Sequence, residues 1–370
     1  MGVTTVTEDE RAYWVVLSMA TGIGPVRFSR LLEICGGARQ AWQATDLELA
    51  AAGLERRTAD SLRRLRAQTT PNAVAVRLNK LGIRALTLLD DEYPALLRQV
   101  ADPPPVLFVR GRLTIEDGQA VAIVGTRRAT SYGQAVAQRL ARDLAAAGVT
   151  IVSGLAKGVD TQAHRAALDA GGRTLAVLGN GLDQVYPPEN AGLARQIVDP
   201  DAGAVVSEFA PGVPPDAVNF PRRNRVISGL SIATVIVEAG ERSGALITAD
   251  FALEQGREVM VVPGNINSPM SRGSNELLKQ GATPVTSAQD VMDALGPCDD
   301  QVGPAQLARH VPELGPQETT VWQALGGEPR HVDDLARTLG GRPGDVSATL
   351  ALLELRGLAR QVGPMLYTRV

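Results

Sequence analysis

Short runs of β-branched and aliphatic residues recur through the middle of the chain, each followed by a segment with apolar residues at helical spacing. The runs are AVAIVG (120–125), VTIVS (149–153), TLAVLG (174–179), AVVSE (204–208), ATVIVE (233–238) and EVMVVPG (258–264). Strands covered on both sides lose the polar alternation of a surface strand. Continuous apolar runs between amphipathic segments therefore predict an α/β fold, an extended Rossmann-like, mostly parallel sheet with helices on both faces. Upstream, residues 8–66 place apolar side chains at helical spacing, as in Trp14-Val15-Leu17-Met19 and Leu31-Leu32-Ile34, and predict a small all-helical domain. Tyr93-Pro94 and Asp102-Pro103-Pro104-Pro105 stop helices and lead into the extended run Val106-Leu107-Phe108-Val109.

After Leu295 the stretch GPCDDQVGPAQ has no hydrophobic period and reads as a linker. Helical segments near Glu318–Leu325, Val332–Leu339 and Asp345–Arg356, then two short strands around Gly363-Pro364, are the order of a winged helix. The expected division is a helical domain over 1–70, the α/β domain over 71–297, a linker over 298–315 and the winged helix over 316–370. Within the first domain, Gly22-Ile23-Gly24-Pro25 has the glycine-turn form of a helix-hairpin-helix, whose backbone N–H groups can meet a DNA phosphate. A tight interhelical turn is the alternative reading.

Composition narrows the class. With 370 residues the chain exceeds one hydrophobic core, and 44% hydrophobic against 21% charged residues is ordinary for a soluble globular protein. No stretch approaches the roughly 20 apolar residues of a membrane span, and acidic residues stand in the N-terminal MGVTTVTEDERAYWV where a signal peptide would be basic. A cytoplasmic location and no membrane partner are expected. Cys35 and Cys298 are far apart and lack metal-ligand spacing, so both are expected to be ordinary thiols. The net charge of −3 confines any nucleic-acid site to a local basic patch. Only Lys80, Lys157 and Lys279 among 37 basic residues are lysines, so the patch would be built of arginine forks suited to phosphate.

Ligands of a doubly wound sheet bind beyond the carboxyl ends of the strands, which makes the loops after each run the place to look. Those loops are Gly125-Thr126-Arg127-Arg128 with Ser131-Tyr132-Gly133, Ser153-Gly154-Leu155-Ala156-Lys157-Gly158 and Gly179-Asn180-Gly181. Further along come Phe220-Pro221-Arg222-Arg223-Asn224-Arg225, Ser243-Gly244, Pro263-Gly264-Asn265 and Gly273-Ser274-Asn275. Glycines for close approach, hydroxyl and amide donors, and cations at several stations on one edge make an anion site. Any one such loop is also what a β-to-α connection needs for its turn and cap. The first loop lacks the second and third glycines of a dinucleotide fingerprint and no P-loop is present, so NAD and nucleoside triphosphate are disfavoured and no cofactor or metal is expected. Adjacent arginines at 127 and 128, and three in four residues at 222–225, would repel one another unless several phosphates neutralise them, as a strand backbone would. Phe220 offers a face on which a base could stack, and a core position below the loop is the competing reading.

These segments, AIVGTRRATSYG, IVSGLAKGVDTQAH, GGRTLAVLGNGLDQVYPPEN, VVSEFAPG, NFPRRNRVISGLS, VEAGERSGALITADFALEQGREVMVVPG and GSNELLKQGA, closely resemble in order the DprA/Smf family of bacterial DNA-processing proteins. The resemblance implies an extended Rossmann domain that binds single-stranded DNA and forms a homodimer, with an N-terminal SAM-like or helix-hairpin-helix-like domain and a C-terminal winged helix. It also implies protection of incoming DNA and loading of the RecA recombinase, alongside single-strand-binding protein, in natural transformation or recombinational repair. Carried onto this chain, the DNA-contact roles fall on Arg127, Arg128, Lys157, Arg222, Arg223 and Arg225.

Catalysis is not expected. Asp160 and His164 share a helix face as an acid-base pair would, and Glu208 and Glu238 sit at strand ends, but such residues more often hold loop N–H groups or arginines. The rival function is a nucleotide-binding or nucleotide-hydrolysing Rossmann protein resembling the phosphoribohydrolases. Their P-G-G-x-G-T-x-x-E motif is replaced here by Pro263-Gly264-Asn265-Ile266-Asn267, which lacks the consecutive glycines and the glutamate. Seven acidic residues against six arginines over 311–370 make the winged helix a poor match for a duplex groove, so a protein-contacting or accessory role is expected there.

Overall fold

The computed structural model describes residues 7–295, 316–325, 330–355, 359–363 and 365–369. Contacts divide the chain into two compact units, Met1–Pro297 and Cys298–Val370. The linker expected at 298–315, with Cys298, lies outside the described residues.

Six helices open the first unit: α1 Glu8–Ser18, α2 Pro25–Cys35, α3 Ala38–Gln43, α4 Asp46–Ala51, α5 Arg56–Gln68 and α6 Pro71–Lys80. Their starts are marked by residues suited to capping. Thr7 accepts from the Glu10 N–H, Thr45 and Glu48 form a reciprocal box, and Thr70 accepts from the Ala73 N–H just before Pro71.

The remainder of this unit is β1 Arg84–Thr87, α7 Ala95–Arg98, β2 Val106–Gly111, β3 Ala120–Val124, α8 Ser131–Ala146, β4 Thr150–Ser153 and α9 Val159–Asp169. It continues with β5 Thr174–Val177, α10 Ala191–Ile197, β6 Gly203–Ser207, α11 Asn219–Gly229, β7 Ala233–Ile236 and α12 Gly244–Glu254. Last come β8 Glu258–Val261, α13 Arg272–Lys279, β9 Thr283–Pro284 and α14 Ala288–Leu295. All six apolar runs are strands. They lie in one nine-stranded sheet of order β1-β2-β6-β5-β4-β3-β7-β8-β9, parallel except where β2 pairs antiparallel with both β1 and β6. The sheet begins earlier than the proline punctuation suggests, because Arg84-Ala85-Leu86-Thr87 already pairs with Val106–Val109.

Alternation along the strands divides the interior. Val121 and Ile123 of β3 face α8, α9 and α14, whereas Ala120, Ala122 and Val124 face α11 and α12. At the other end of the sheet, Val106 and Phe108 of β2, with Ala176 and Val205, join the core of the N-terminal helices through Phe28, Leu31, Leu62 and Leu78. Strand order reverses between β3 and β7, which are paired from Val121 with Ala233 to Val124 with Ile236. That reversal opens a crevice at their carboxyl ends.

The second unit contains α15 Pro316–Ala324, β10 Arg330–His331, α16 Val332–Leu339, α17 Pro343–Leu355, β11 Ala359–Gly363 and β12 Leu366–Arg369. Its three-stranded sheet has order β10-β12-β11, and Val321, Leu335, Leu350 and Leu353 form its core. This is the three-helix, β-hairpin winged helix expected from the sequence. No helix among the described residues is long and apolar enough to cross a membrane.

Candidate functional site

A cavity of about 1020 Å³ opens at the β3/β7 reversal. Its walls come from the loop after β3 (Gly125 to Arg128), the loop after β7 (Gly240 to Gly244) and the start of α11 (Phe220, Arg223, Asn224), with Pro269 and Met270 beside Gly240. A smaller hollow of about 80 Å³, lined by Lys157, Gly179, Tyr186 and Phe220, adjoins it and shares Arg127 and Arg223. Five of the predicted loops therefore converge on one place.

The glycines of these loops do more for packing than for ligand approach. A Cβ on Gly125 would fall 2.6 Å from Val159 Cγ2, and one on Gly133 would fall 2.2 Å from Glu238 Oε2. Gly154 is closed by Arg223, whose Nη1 would lie 2.5 Å away, and Gly158 (φ +81°) abuts the Thr126 carbonyl oxygen at 2.3 Å. Gly244 is different, with nothing within 4 Å of its Cβ position.

Hydrogen bonds fix the loops from beneath. Glu238 accepts from the Thr130 backbone N–H (2.9 Å) and hydroxyl (2.6 Å), and Thr130 in turn caps α8 by accepting from the Gly133 N–H. Thr126 donates its N–H to the Glu238 carbonyl, and its hydroxyl accepts from the Arg128 N–H. Asp160 accepts from the Gly154 and Ala156 N–H groups at 3.1 and 3.2 Å. Ser153 donates its hydroxyl to the Ile123 carbonyl, inside the sheet. Ser243 caps α12 by accepting from the Ala245 N–H, and Asn224 donates its side-chain amide to the Gly244 carbonyl. Glu238, Asp160 and Glu208 thus hold loop donors and arginines.

The arginines separate into two groups. Arg127 and Arg128 are exposed at the cavity mouth and make no ion pair among the described residues. Arg222 is also exposed, resting over the Phe209 ring at 5.1 Å and reaching Glu208 at 3.8 Å, and Lys157 pairs with Glu189 at 2.5 Å on the surface. Arg223 and Arg225 differ from these in being buried. Arg225 is buried, with its guanidinium 2.5 Å from Glu208, 2.5 Å from the Asp102 carbonyl and 3.6 Å from the Asp102 carboxylate. Arg223 donates from one nitrogen to the Gly154 and Val177 carbonyls at 2.6 and 2.5 Å, and from Nε to Asn224 Oδ1. The charge cluster at 222–225 is relieved by internal acceptors, so external phosphates are not needed to explain it.

Burial pushes the Arg223 guanidinium down to about 10, with Asp160 opposing the shift and Arg127 adding to it. It keeps its proton at neutral pH and contributes positive charge to the cavity wall from behind. Burial also raises the Asp160 carboxyl, against the pull of Arg223 and of the loop N–H groups.

Phe220 does not present a bare face. Tyr186 stacks on it with ring centroids 5.7 Å apart, and the guanidiniums of Arg127 and Arg223 lie 5.2 and 6.0 Å from its centroid. Tyr186, 42% exposed, is the outward aromatic of this stack and was missed. In the sequence it is a tyrosine before Pro187-Pro188, indistinguishable from turn punctuation. Arg242, exposed in the loop after β7 beside Ser243, was also missed and makes no ion pair among the described residues.

His164 is sealed beneath the site. Its Nδ1 lies 2.7 Å from Thr174 Oγ1, whose own proton is donated to the Ile151 carbonyl, so Nδ1 carries the hydrogen and the unpartnered Nε2 is bare. Burial and Arg223 push its pKa down to about 3. The unfolded chain binds a proton here below about pH 6.5 while the folded chain does not, so this group removes stability as pH falls from about 6.5 towards 3. His164→Asn keeps an N–H for Thr174 without titrating. The stability advantage of the parent over this variant should therefore shrink by about 2 kcal/mol between pH 6.5 and 4.5 in urea unfolding; a constant difference would place the imidazole in contact with water.

A doubly wound sheet with a cationic cleft at its reversal, followed by a winged helix, defines an α/β protein of the Rossmann class. Residues 84–296 match the family model of DNA recombination-mediator protein A, and residues 303–363 match that of the DprA winged helix domain. The chain is 34% identical to Protein Smf of Synechocystis sp., across 98% of this chain and 99% of that one. The X-ray structure of DNA processing protein A from Streptococcus pneumoniae is similar with a TM-score of 0.66 at 34% identity, covering 78% of this chain and 98% of that one. A structure of DNA processing protein A from Helicobacter pylori, described for its single-stranded DNA binding mode, gives 0.52 at 32% identity over 58% of this chain and 95% of that one. The chain belongs to the DprA/Smf family of DNA-processing proteins.

Proposed function

We propose that this protein binds single-stranded DNA in the cleft at the β3/β7 reversal and passes it to the RecA recombinase. The observation that carries the DNA reading is the pairing of Arg127 and Arg128, exposed and without carboxylate partners among the described residues, with a cavity of about 1020 Å³ that one small anion does not fill. Arg242 adds a further cation to the rim, Lys157 exchanges the surface carboxylate of Glu189 for a phosphate as the strand arrives, and the exposed Arg222, only 3.8 Å from the buried Glu208, is free to turn to another. Tyr186, backed by Phe220, provides a stacking surface that suits any base. A concave strand-end cleft accepts splayed bases more readily than a rigid duplex. The H. pylori relative, described for single-stranded DNA binding, supports the same choice.

Delivery to RecA, cooperation with single-strand-binding protein, homodimerisation and a role in natural transformation or recombinational repair rest on family resemblance. The cytoplasm is where such partners reside.

The test is a salt titration of binding to oligo-dT, its duplex counterpart and free nucleotides. The Arg127→Ala/Arg128→Ala variant should bind oligo-dT more weakly, with its log-log salt slope reduced by roughly 0.7 per lost phosphate contact. An unchanged slope would remove both residues from the interface. Preference of the parent for a free nucleotide over oligo-dT would make the cleft a small-molecule site.

A further inference from the structure

We propose that the N-terminal helices carry a second contact for a DNA backbone, built on a row of arginines along α5 and separate from the strand-end cleft. Helix α5 holds Arg56, Arg57, Arg63, Arg64 and Arg66 against a single acidic residue, Asp60. Two of these have internal duties. Arg66 donates to the Ala44 and Ala41 carbonyls and lies over Trp42, and Arg63 pairs with Asp46 and Asp60. Nearby, Arg27 of α2 pairs with Glu55.

The carboxylates of Glu55, Asp46 and Asp60 are thereby engaged. Arg30, Arg56, Arg57 and Arg64 remain exposed and make no ion pair among the described residues. Helices α2 and α5 together carry seven arginines against Glu33 and Asp60, which contrasts with the net charge of −3 of the whole chain.

Geometry arranges these charges. Ser61 of α5 accepts from the Thr21 N–H at 3.1 Å, and Thr58 fills the space where a Cβ on Gly22 would lie, 2.7 Å from its Oγ1. The Gly22-to-Pro25 turn is therefore pinned on α5. Arg57 and Arg64 occupy positions four before and three after Ser61, so they share its helix face and flank the turn. Arg30 stretches from α2 to the α4/α5 connection, its guanidinium 3.1 Å from the Cβ position of Gly53.

Arg57 and Arg64 are separated by roughly 10 Å along the helix axis, which suits successive phosphates better than one small anion. The exposed side chains of this turn and of the two helices include Thr21, Ser29 and Gln68 along with the aliphatic Val26, and no exposed aromatic of the kind that anchors protein interfaces stands among them. Arginine forks without base-reading or aromatic anchors bind a nucleic-acid backbone irrespective of sequence. The reading does not depend on the cleft.

The full-length parent, Arg57→Ala/Arg64→Ala, Arg127→Ala/Arg128→Ala and the quadruple variant would be titrated with salt against a 60-nucleotide oligo-dT and a duplex of equal length. Alanine retains the helix at these exposed positions, and thermal melts confirm folding. Arg57→Ala/Arg64→Ala should lower the log-log slope by roughly 0.7 per contact on the single strand or roughly 0.9 on the duplex, and the quadruple variant should show both losses. The ligand with the larger loss identifies which form of DNA the row grips. A parental slope on both ligands would overturn the proposal while leaving the cleft reading intact. Loss only in Arg57→Ala/Arg64→Ala would retain this site and sink the cleft. Binding of poly-glutamate in preference to either DNA would reassign the row to an acidic protein partner and overturn the proposal.

Discussion

Arg225→Ala should lower the free energy of unfolding by about 3–5 kcal/mol at neutral pH, the cost of leaving a buried carboxylate without its partner. The Arg225 and Glu208 side chains are each 6% exposed and meet at 2.5 Å. Burial raises the Glu208 carboxyl and the Arg225 and Arg222 charges oppose that rise. Oxygen Oε1 of Glu208 has no hydrogen-bond partner, so the arginine is the main compensation for its charge. Adding Glu208→Gln should recover part of the loss, because the residue left behind is then neutral. Lowering the pH should also narrow the gap between Arg225→Ala and its parent, as Glu208 in the variant takes up a proton and ceases to be a buried charge. Urea unfolding of the single and double variants measures both effects. A loss under 1 kcal/mol would show that Arg225 is free enough in solution to return to the DNA contacts.

Gly158→Ala should be nearly as damaging, and should weaken DNA binding as well. Gly158 has φ +81° and ψ −127°, a conformation that residues with a Cβ adopt at a cost of about 1–3 kcal/mol. The added Cβ would lie 2.3 Å from the Thr126 oxygen and 2.8 Å from the Arg127 carbonyl carbon, and backbone cannot rotate away as a side chain can. Overlap of this kind costs about 1–3 kcal/mol more. Relief would push the 125–128 loop outward and carry Arg127 away from Phe220. Gly244→Ala is the matched control, because open space surrounds that position at the start of α12. The expected pattern is lower stability and weaker oligo-dT binding for Gly158→Ala, with parental stability for Gly244→Ala. Parental behaviour in both would mean that the two strand-end loops are not packed as described.

The strands were readable because a parallel strand covered on both faces is written as a continuous apolar run, and Val121-Ala122-Ile123 leaves little alternative. Strand β1 was not, since Arg84-Ala85-Leu86-Thr87 is four residues with polar ends and is defined by its pairing with β2. The loops were legible as a group, because strand-end position follows from strand direction. The duties of individual arginines were not. Arg127 and Arg225 are identical as letters, and what separates them is the presence of Glu208 and Asp102, brought to Arg225 from 17 and 123 residues away. Charge density in sequence predicts repulsion, but only the fold says whether a carboxylate or a ligand relieves it.

The antiparallel strand β2 lies between β1 and β6 and turns Val106 and Phe108 towards the N-terminal helices, while Leu107 and Val109 face α7 and α11. That makes the helices a lid on the end of the sheet, and no clean seam exists at which to cut them off. A fragment beginning at Arg84 would bare Phe108, Ala176 and Val205 to water and invite aggregation through that apolar wall. Any dissection of the N-terminal arginines from the cleft therefore has to be done by point substitution in the intact chain.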